Sequence, residues 1–249
     1  MIYLVLPAWN EAANLPALLR SMKRNLEEAG LSEYHVVVID DGSTDGTADV
    51  VSSLKADVPL TLRQNERNLG LAESLKRGLM CALGLSRDDD DIIVTMDADN
   101  THTPGLIFRM AQAIAEGNDV VIASRYRYGA RVRGLTASRR LLSQGASWLF
   151  RVVFPMRGVR DYTSGFRGYR AGLLRRAFDE LGPDGIISER GFACMVDILL
   201  KIREFDPIIT EVALILRYDQ KKGASKMHVG RTVRETLHLM VRRRLRLKG

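Results

Sequence analysis

The 249-residue chain has two cysteines, 6% aromatic residues and no apolar run of bilayer-spanning length. Cys81 and Cys194 lie far apart, with no Cys-x-x-Cys pair. That excludes a disulfide framework and fits a reducing, cytoplasmic compartment, with both thiols expected as small buried hydrophobes. A transmembrane helix needs about 20 consecutive apolar residues. The opening Met1–Pro7 reads directly as a strand, without a charged leader or cleavage site, so no signal peptide is expected. Aromatics this scarce, not interleaved with basic residues, exclude a base-stacking nucleic-acid surface. Internal repeats and low-complexity linkers are missing as well.

What the chain does have is core and positive charge. Hydrophobic residues make up 46% and charged residues 27%, enough for one large globular domain. The net charge is +7 and the pI about 9.6, which suggests an anionic partner such as a nucleotide or membrane surface. The basic residues are uneven. They gather in Arg125–Arg140 and at the end, where Arg242, Arg243, Arg244, Arg246 and Lys248 include no acid. The chain up to Asp99 is balanced, unlike a continuous nucleic-acid groove.

The hydrophobic pattern alternates strands and helices. Ile2–Leu6, Val36–Ile39, Leu60–Leu62, Ile92–Met96 and Val120–Ser124 read as buried strands. Between them fall a helix carrying Leu15, Leu18, Leu19, Met22 and Leu26, a short helix Gly46–Leu54, and a helix over Ala72–Leu83. Thr103-Pro104 reads as a cap and first turn of a helix to about Glu116. The rhythm predicts an α/β fold with a mostly parallel sheet, whose ligands bind beyond the carboxyl ends of the strands. The acidic run Asp88–Asp91 is expected as a solvated loop.

Two later stretches differ. From about 136 to 155, apolar residues including Leu141, Leu142, Trp148, Phe150, Val152 and Phe154 cover a wide arc. Such an arc suits either an interfacial helix or one buried between two elements. Lys226–Leu247 sets Val229, Val233, Leu237, Met240 and Val241 against arginines, the pattern of a helix lying on a membrane surface, with a solvated basic tail as the alternative. The expected division is a catalytic domain over 1–223 and a basic amphipathic tail over 224–249.

The chemistry concentrates at strand ends. Asp97-Ala98-Asp99 closes the fourth strand. Two carboxylates so close are costly unless a cation lies between them, and a hard divalent ion that also holds nucleotide phosphates would compensate the charge. Asp40-Asp41-Gly42-Ser43-Thr44-Asp45-Gly46-Thr47 follows the second strand, with glycines that permit close backbone approach and Asp45 placed to cap a helix. Pro7, Asp40, Asp41, Asp97 and Asp99 should therefore meet in one crevice.

These motifs, with Pro7-Ala8-Trp9-Asn10-Glu11, Asn68-Leu69-Gly70, Ser124-Arg125-Tyr126, Asp161–Arg167 and Gly223-Ala224-Ser225-Lys226, resemble family-2 glycosyltransferases of the GT-A class. The likeness is greatest to the dolichol-phosphate mannose synthase branch. The resemblance implies a GT-A fold, a nucleotide-sugar donor (GDP-mannose or a UDP-hexose) and Mg²⁺ or Mn²⁺ held by Asp97 and Asp99. Pro7, Trp9, Glu11, Asp40, Asp41 and Asn68 would line the donor site. Arg125, Arg139 and Ser143 would grip a polyprenyl or dolichyl phosphate, with Arg139 and Ser143 one helical turn apart. Arg167 and Lys226 would neutralise phosphate charge, and Asp161 would orient sugar or acceptor. Ser43 and Thr47 are expected to be structural.

The expected reaction is inverting sugar transfer at the cytoplasmic face of a membrane, to which the protein binds peripherally. An anionic phosphate nucleophile needs no strong general base, so catalysis would rest on positioning and electrostatics. Attachment could also use a separate membrane subunit. Three departures from the branch leave sugar and base open: Thr101 stands where glutamine is common, Gln220 where an arginine is expected, and Trp9 where tyrosine is frequent. The alternatives are the same chemistry on a soluble saccharide or protein, and a non-catalytic nucleotide-binding, membrane-associated protein.

Overall fold

A computed structural model describes residues 1–134 and 137–220. The elements run β1 (Ile2–Ala8), α1 (Leu15–Glu28), β2 (Tyr34–Asp40), α2 (Thr47–Ser53), β3 (Leu60–Gln64), α3 (Leu71–Leu85), β4 (Ile92–Thr95), α4 (Leu106–Ala115) and β5 (Val120–Ser124). Then follow β6 (Arg131–Arg133), α5 (Ala137–Val153), β7 (Arg167–Arg170), α6 (Ala171–Leu181), α7 (Pro183–Ile186), α8 (Ala193–Ile202), β8 (Ile209–Ala213) and β9 (Ile215–Arg217). The expected tail over 224–249, with Lys226, lies outside the described residues. So do the side chains of Arg139 and Ser143, although both positions fall within α5.

The main sheet has the order β3-β2-β1-β4-β7-β5-β8, and β6 pairs with β9 in a small second sheet. All neighbours in the main sheet are parallel except β7, which runs antiparallel to both β4 and β5. Its reversal sets Arg167 beside Thr95, at the carboxyl end of β4. The residues that precede β7 are therefore the ones that reach the crevice.

Strand alternation explains the two cores. Along β1, Ile2, Leu4 and Leu6 join α1, α2 and α4 on one face, while Tyr3 and Val5 join α3, α6 and α8 on the other. Apolar side chains on both faces are what a doubly covered parallel sheet requires. Gly78 in α3 allows close approach, since a Cβ there would lie 2.4 Å from the Val5 side chain.

Three expectations change. Helix α4 starts at Leu106 rather than at Thr103-Pro104, because the Thr103 hydroxyl donates to Ile215 O (3.2 Å) instead of capping. The acidic run is not merely solvated: Asp91 is buried and accepts the Ser86 hydroxyl at 2.9 Å, while Asp89 and Asp90 pair with Arg175 and Arg170. The wide apolar arc of α5 is buried only in part. Phe150 and Phe154 are core residues, whereas Trp148 and Val152 are 61% and 59% exposed. Cys194 is buried as expected, and burial pushes its thiol up to about 12, whereas Cys81 is only partly buried.

Candidate active site at the carboxyl ends of the strands

The first loops are tied to one another before any ligand is considered. The Asn10 N–H donates to Ser43 Oγ (2.8 Å), and the Thr44 N–H donates to Asn10 Oδ1 (2.8 Å). The Glu11 N–H donates to Thr47 Oγ1 at 2.9 Å, and Asp45 Oδ1 accepts the Thr47 N–H at 3.0 Å. Ser43 and Thr47 thus act structurally, and Asp45 caps the entry to α2. Gly42 has φ +67°, and a Cβ there would sit 2.4 Å from the Arg67 backbone, so only glycine fits where these loops meet.

Among the expected donor residues, Pro7 is half-buried, Trp9 and Asn68 are exposed, and Glu11, Asp40 and Asp41 are buried. Their carboxylates are engaged by the protein itself. Glu11 Oε2 accepts from Asn14 Nδ2 (2.6 Å), and Asp40 Oδ1 accepts the Ser43 N–H (3.2 Å). Asp41 accepts from Asn65 Nδ2 and the Leu69 and Gly70 N–H groups, each at 2.8 Å. Asp41 therefore organises the turn that carries Asn68 into α3.

Asp97 and Asp99 are partly exposed at the end of β4, with Ala98 buried between them. Asp99 Oδ1 accepts both the N–H (3.1 Å) and the hydroxyl (2.6 Å) of Thr101, a closed turn in which Asn100 adopts φ +61°. Thr101 is itself buried and so orients Asp99. Gly165 faces Asp97: a Cβ on it would lie 3.6 Å from Asp97 Oδ1. Among the described residues no three His, Cys, Asp or Glu side chains form a metal cage. The protein offers a partial set of hard oxygen donors, which fits Mg²⁺ or Mn²⁺ completed by phosphate oxygens and water.

On the other side, the Arg125 guanidinium meets Asp161 through two hydrogen bonds, Nε to Oδ2 (2.8 Å) and Nη2 to Oδ1 (2.6 Å). Nη2 also reaches Thr163 Oγ1 at 2.5 Å. Asp161 is fully buried and accepts the backbone N–H groups of Arg125, Thr163 and Ser164. Burial alone would raise its pKa, but the Arg125 charge and these donors bring it below its ordinary 3.8. Burial alone disfavours the Arg125 cation, and Asp161 more than reverses that. The guanidinium is thus fixed and permanently charged, with its side chain 21% exposed. Asp161 acts through Arg125 rather than at the surface.

Glu211, which the sequence did not single out, underpins this pair. Its Oε1 accepts the N–H groups of Arg160 (2.6 Å) and Asp161 (2.7 Å). Burial raises its pKa, and those two donors offset part of the rise. Arg167 differs from its expected role as a phosphate contact. It is wholly buried, donating to Met195 O (2.6 Å) and Tyr162 O (2.7 Å). Strand alternation in β7 turns it into the covered face, where it ties α8 to the Asp161 turn. The segment Asp161–Gly165 thereby links the fixed arginine to Asp97 within a few residues.

Residues 3–180 match the family described as Glycosyl transferase family 2. The chain is 31% identical over 242 residues to a dolichol-phosphate mannosyltransferase of Pyrococcus furiosus, covering 97% of this chain and 63% of that protein. A polyprenol monophosphomannose synthase of Mycolicibacterium smegmatis is 28% identical over 235 residues, 94% of this chain and 83% of the relative. In structure, the chain resembles glucosyl-3-phosphoglycerate synthase of Mycobacterium tuberculosis, solved with Mn²⁺, UDP and phosphoglyceric acid. The TM-score is 0.65 at 22% identity, over 98% of this chain and 78% of that one.

Proposed function

From the premise that this chain belongs to glycosyl transferase family 2, we propose that it transfers mannose from GDP-mannose to a polyprenyl phosphate, with inversion, at a membrane surface. The observation that carries the reading is the Asp161–Gly165 segment, which bonds a charged arginine through Asp161 and approaches Asp97 through Gly165. The names of the similar proteins support mannose and a polyprenyl phosphate.

In this reading Asp97 and Asp99 would hold a divalent cation, which would supply charge neutralisation for a departing nucleoside diphosphate. Arg125, assisted by Arg139, Ser143 and Lys226, binds the acceptor phosphate and aims one oxygen at the anomeric carbon. That carbon–oxygen bond forms as the bond to the diphosphate breaks, and no residue has to remove a proton. Asp161 keeps Arg125 from turning away, so the site is organised before substrates enter. Trp9 and Asn68 border the nucleoside.

Membrane contact is supported by Trp148 and Val152, exposed one turn apart on α5, with exposed Arg151, Arg157 and Arg160 nearby in sequence. No helix among the described residues is long and apolar enough to cross a membrane. The test is incubation with labelled GDP-mannose, Mg²⁺ or Mn²⁺ and a polyprenyl phosphate, followed by chloroform extraction. Label is expected in the organic phase, and its absence across a panel of GDP- and UDP-sugars overturns the reading.

A further inference from the structure

We propose that His102 is a positioning residue that fixes Asp97 for cation binding by accepting its main-chain amide at Nδ1, with the other edge of the ring turned towards its carboxylate. The inference rests on reading Asp97 and Asp99 as the cation-binding pair.

The sheet ladder ends just before the site. The Met96 N–H still donates to Val5 O (3.1 Å). The next amide, that of Asp97, donates to His102 Nδ1 at 3.3 Å. An acceptor at Nδ1 places the ring hydrogen of the neutral imidazole on Nε2. Nε2 lies 3.9 Å from Asp97 Oδ2. The ring thus accepts the amide of Asp97 at one nitrogen and turns the other towards the carboxylate of the same residue, a bond that a space-filling side chain would not make.

The ring is itself immobilised. It is 5% exposed and stacks on Phe166, with centroids 5.0 Å apart and planes 26° from parallel. The main chain of His102 bridges Leu216, and the Arg217 N–H donates to Thr101 O at 2.8 Å. The turn 97–102 therefore sets the two carboxylates separately, Asp99 through Thr101 and Asp97 through His102. Partners of metal-ligating groups that fix orientation in this way are worth about 10–100-fold in metal affinity.

The test uses the full chain, GDP, and Mn²⁺ binding read from the free-Mn²⁺ signal in electron paramagnetic resonance. His102→Phe keeps the stack on Phe166 and removes both nitrogens. His102→Asn restores an amide oxygen where Nδ1 stood. With folding verified by circular dichroism, Phe is expected to weaken Mn²⁺ binding about tenfold or more, and Asn to recover most of it. Wild-type affinity in a folded Phe variant, or equal weakening in both variants, overturns the proposal. If Phe is not tolerated, His102→Gln takes its place with the same expectation, because its amide sits where Nε2 stood and leaves the Nδ1 position empty. Mn²⁺ binding needs no turnover. A protein that binds Mn²⁺ through His102 but transfers no sugar overturns the proposed function alone. One that transfers sugar while its Mn²⁺ binding ignores His102 overturns the clamp alone.

Discussion

The carboxylate side of the crevice and its arginine side hold their charges by different means. Asp99 is held by Thr101, two residues on, and Asp40 by Ser43, three residues on. These are turns that close on themselves at the ends of parallel strands, with the carboxylates Asp97 and Asp99 still partly open to solvent. Arg125 depends on Asp161, 36 residues away, and Asp161 on Glu211, a further 50. There the carboxylates are buried and the charges mutually dependent. The carboxylate side should lose function when altered, whereas the arginine side should lose stability first.

The largest effect expected is on the arginine side. Asp161→Ala removes the buried partner of the partly exposed Arg125 guanidinium and leaves the N–H groups of Thr163 and Ser164 without their acceptor. A loss of about 3–5 kcal/mol is expected, read as a drop in the urea midpoint. A stable Asp161→Ala variant that lost only activity would erase the contrast. Next comes Asp99→Asn, which keeps an acceptor for Thr101 but removes a charge. It should lower kcat about 10²–10³-fold while leaving the melting temperature near that of the wild type.

Gly42→Ala sharpens the comparison from within the carboxylate side. Its φ of +67° and the 2.4 Å approach to Arg67 leave no room for a methyl group. A loss of about 1–3 kcal/mol in denaturant titration is expected, despite the position's half-exposed surface. Titration is the subtlest probe. The pKa of Asp161 is lowered from 3.8, so its stabilisation is present above that value and is lost as pH falls through the folded-state pKa. The pKa of Glu211 is raised from 4.5, so its contribution is greatest below that value and is lost as pH rises through the folded-state pKa. Glu211→Gln should flatten the decline above pH 4.5 and leave the acid limb in place, as measured by chemical denaturation across pH.

The same contrast explains what was legible beforehand. Ile2–Ala8, Tyr34–Asp40 and Ile92–Thr95 announce themselves as apolar runs, and the acids at their ends follow from the geometry of parallel strands. Thr101 stood out in the sequence only as a departure from glutamine, and its closure of the turn on Asp99 emerged from the structure. β7 was hidden because Arg-Gly-Tyr-Arg reads as polar, yet its Arg167 is spent on two carbonyls inside the core. Glu211 carried no local signal, and His102, although only five residues from Asp97, is held in place by distant segments. Their partners come from Arg160 and Asp161 in one case and from Phe166 and Leu216 in the other, positions that only tertiary contact brings near.

The reversed strand has a consequence for how the molecule is born. β1 to β4 pair with one another in parallel, through crossovers that a chain emerging amino-terminus first can complete early. β7 must then enter between β4 and β5, and β8 must arrive before Glu211 can support Asp161. The crevice is therefore built from its anionic wall towards its cationic wall. The wall that carries Asp97 and Asp99 needs only strands that are early in the chain, whereas the wall that carries Arg125 and Asp161 needs the last strand of the main sheet.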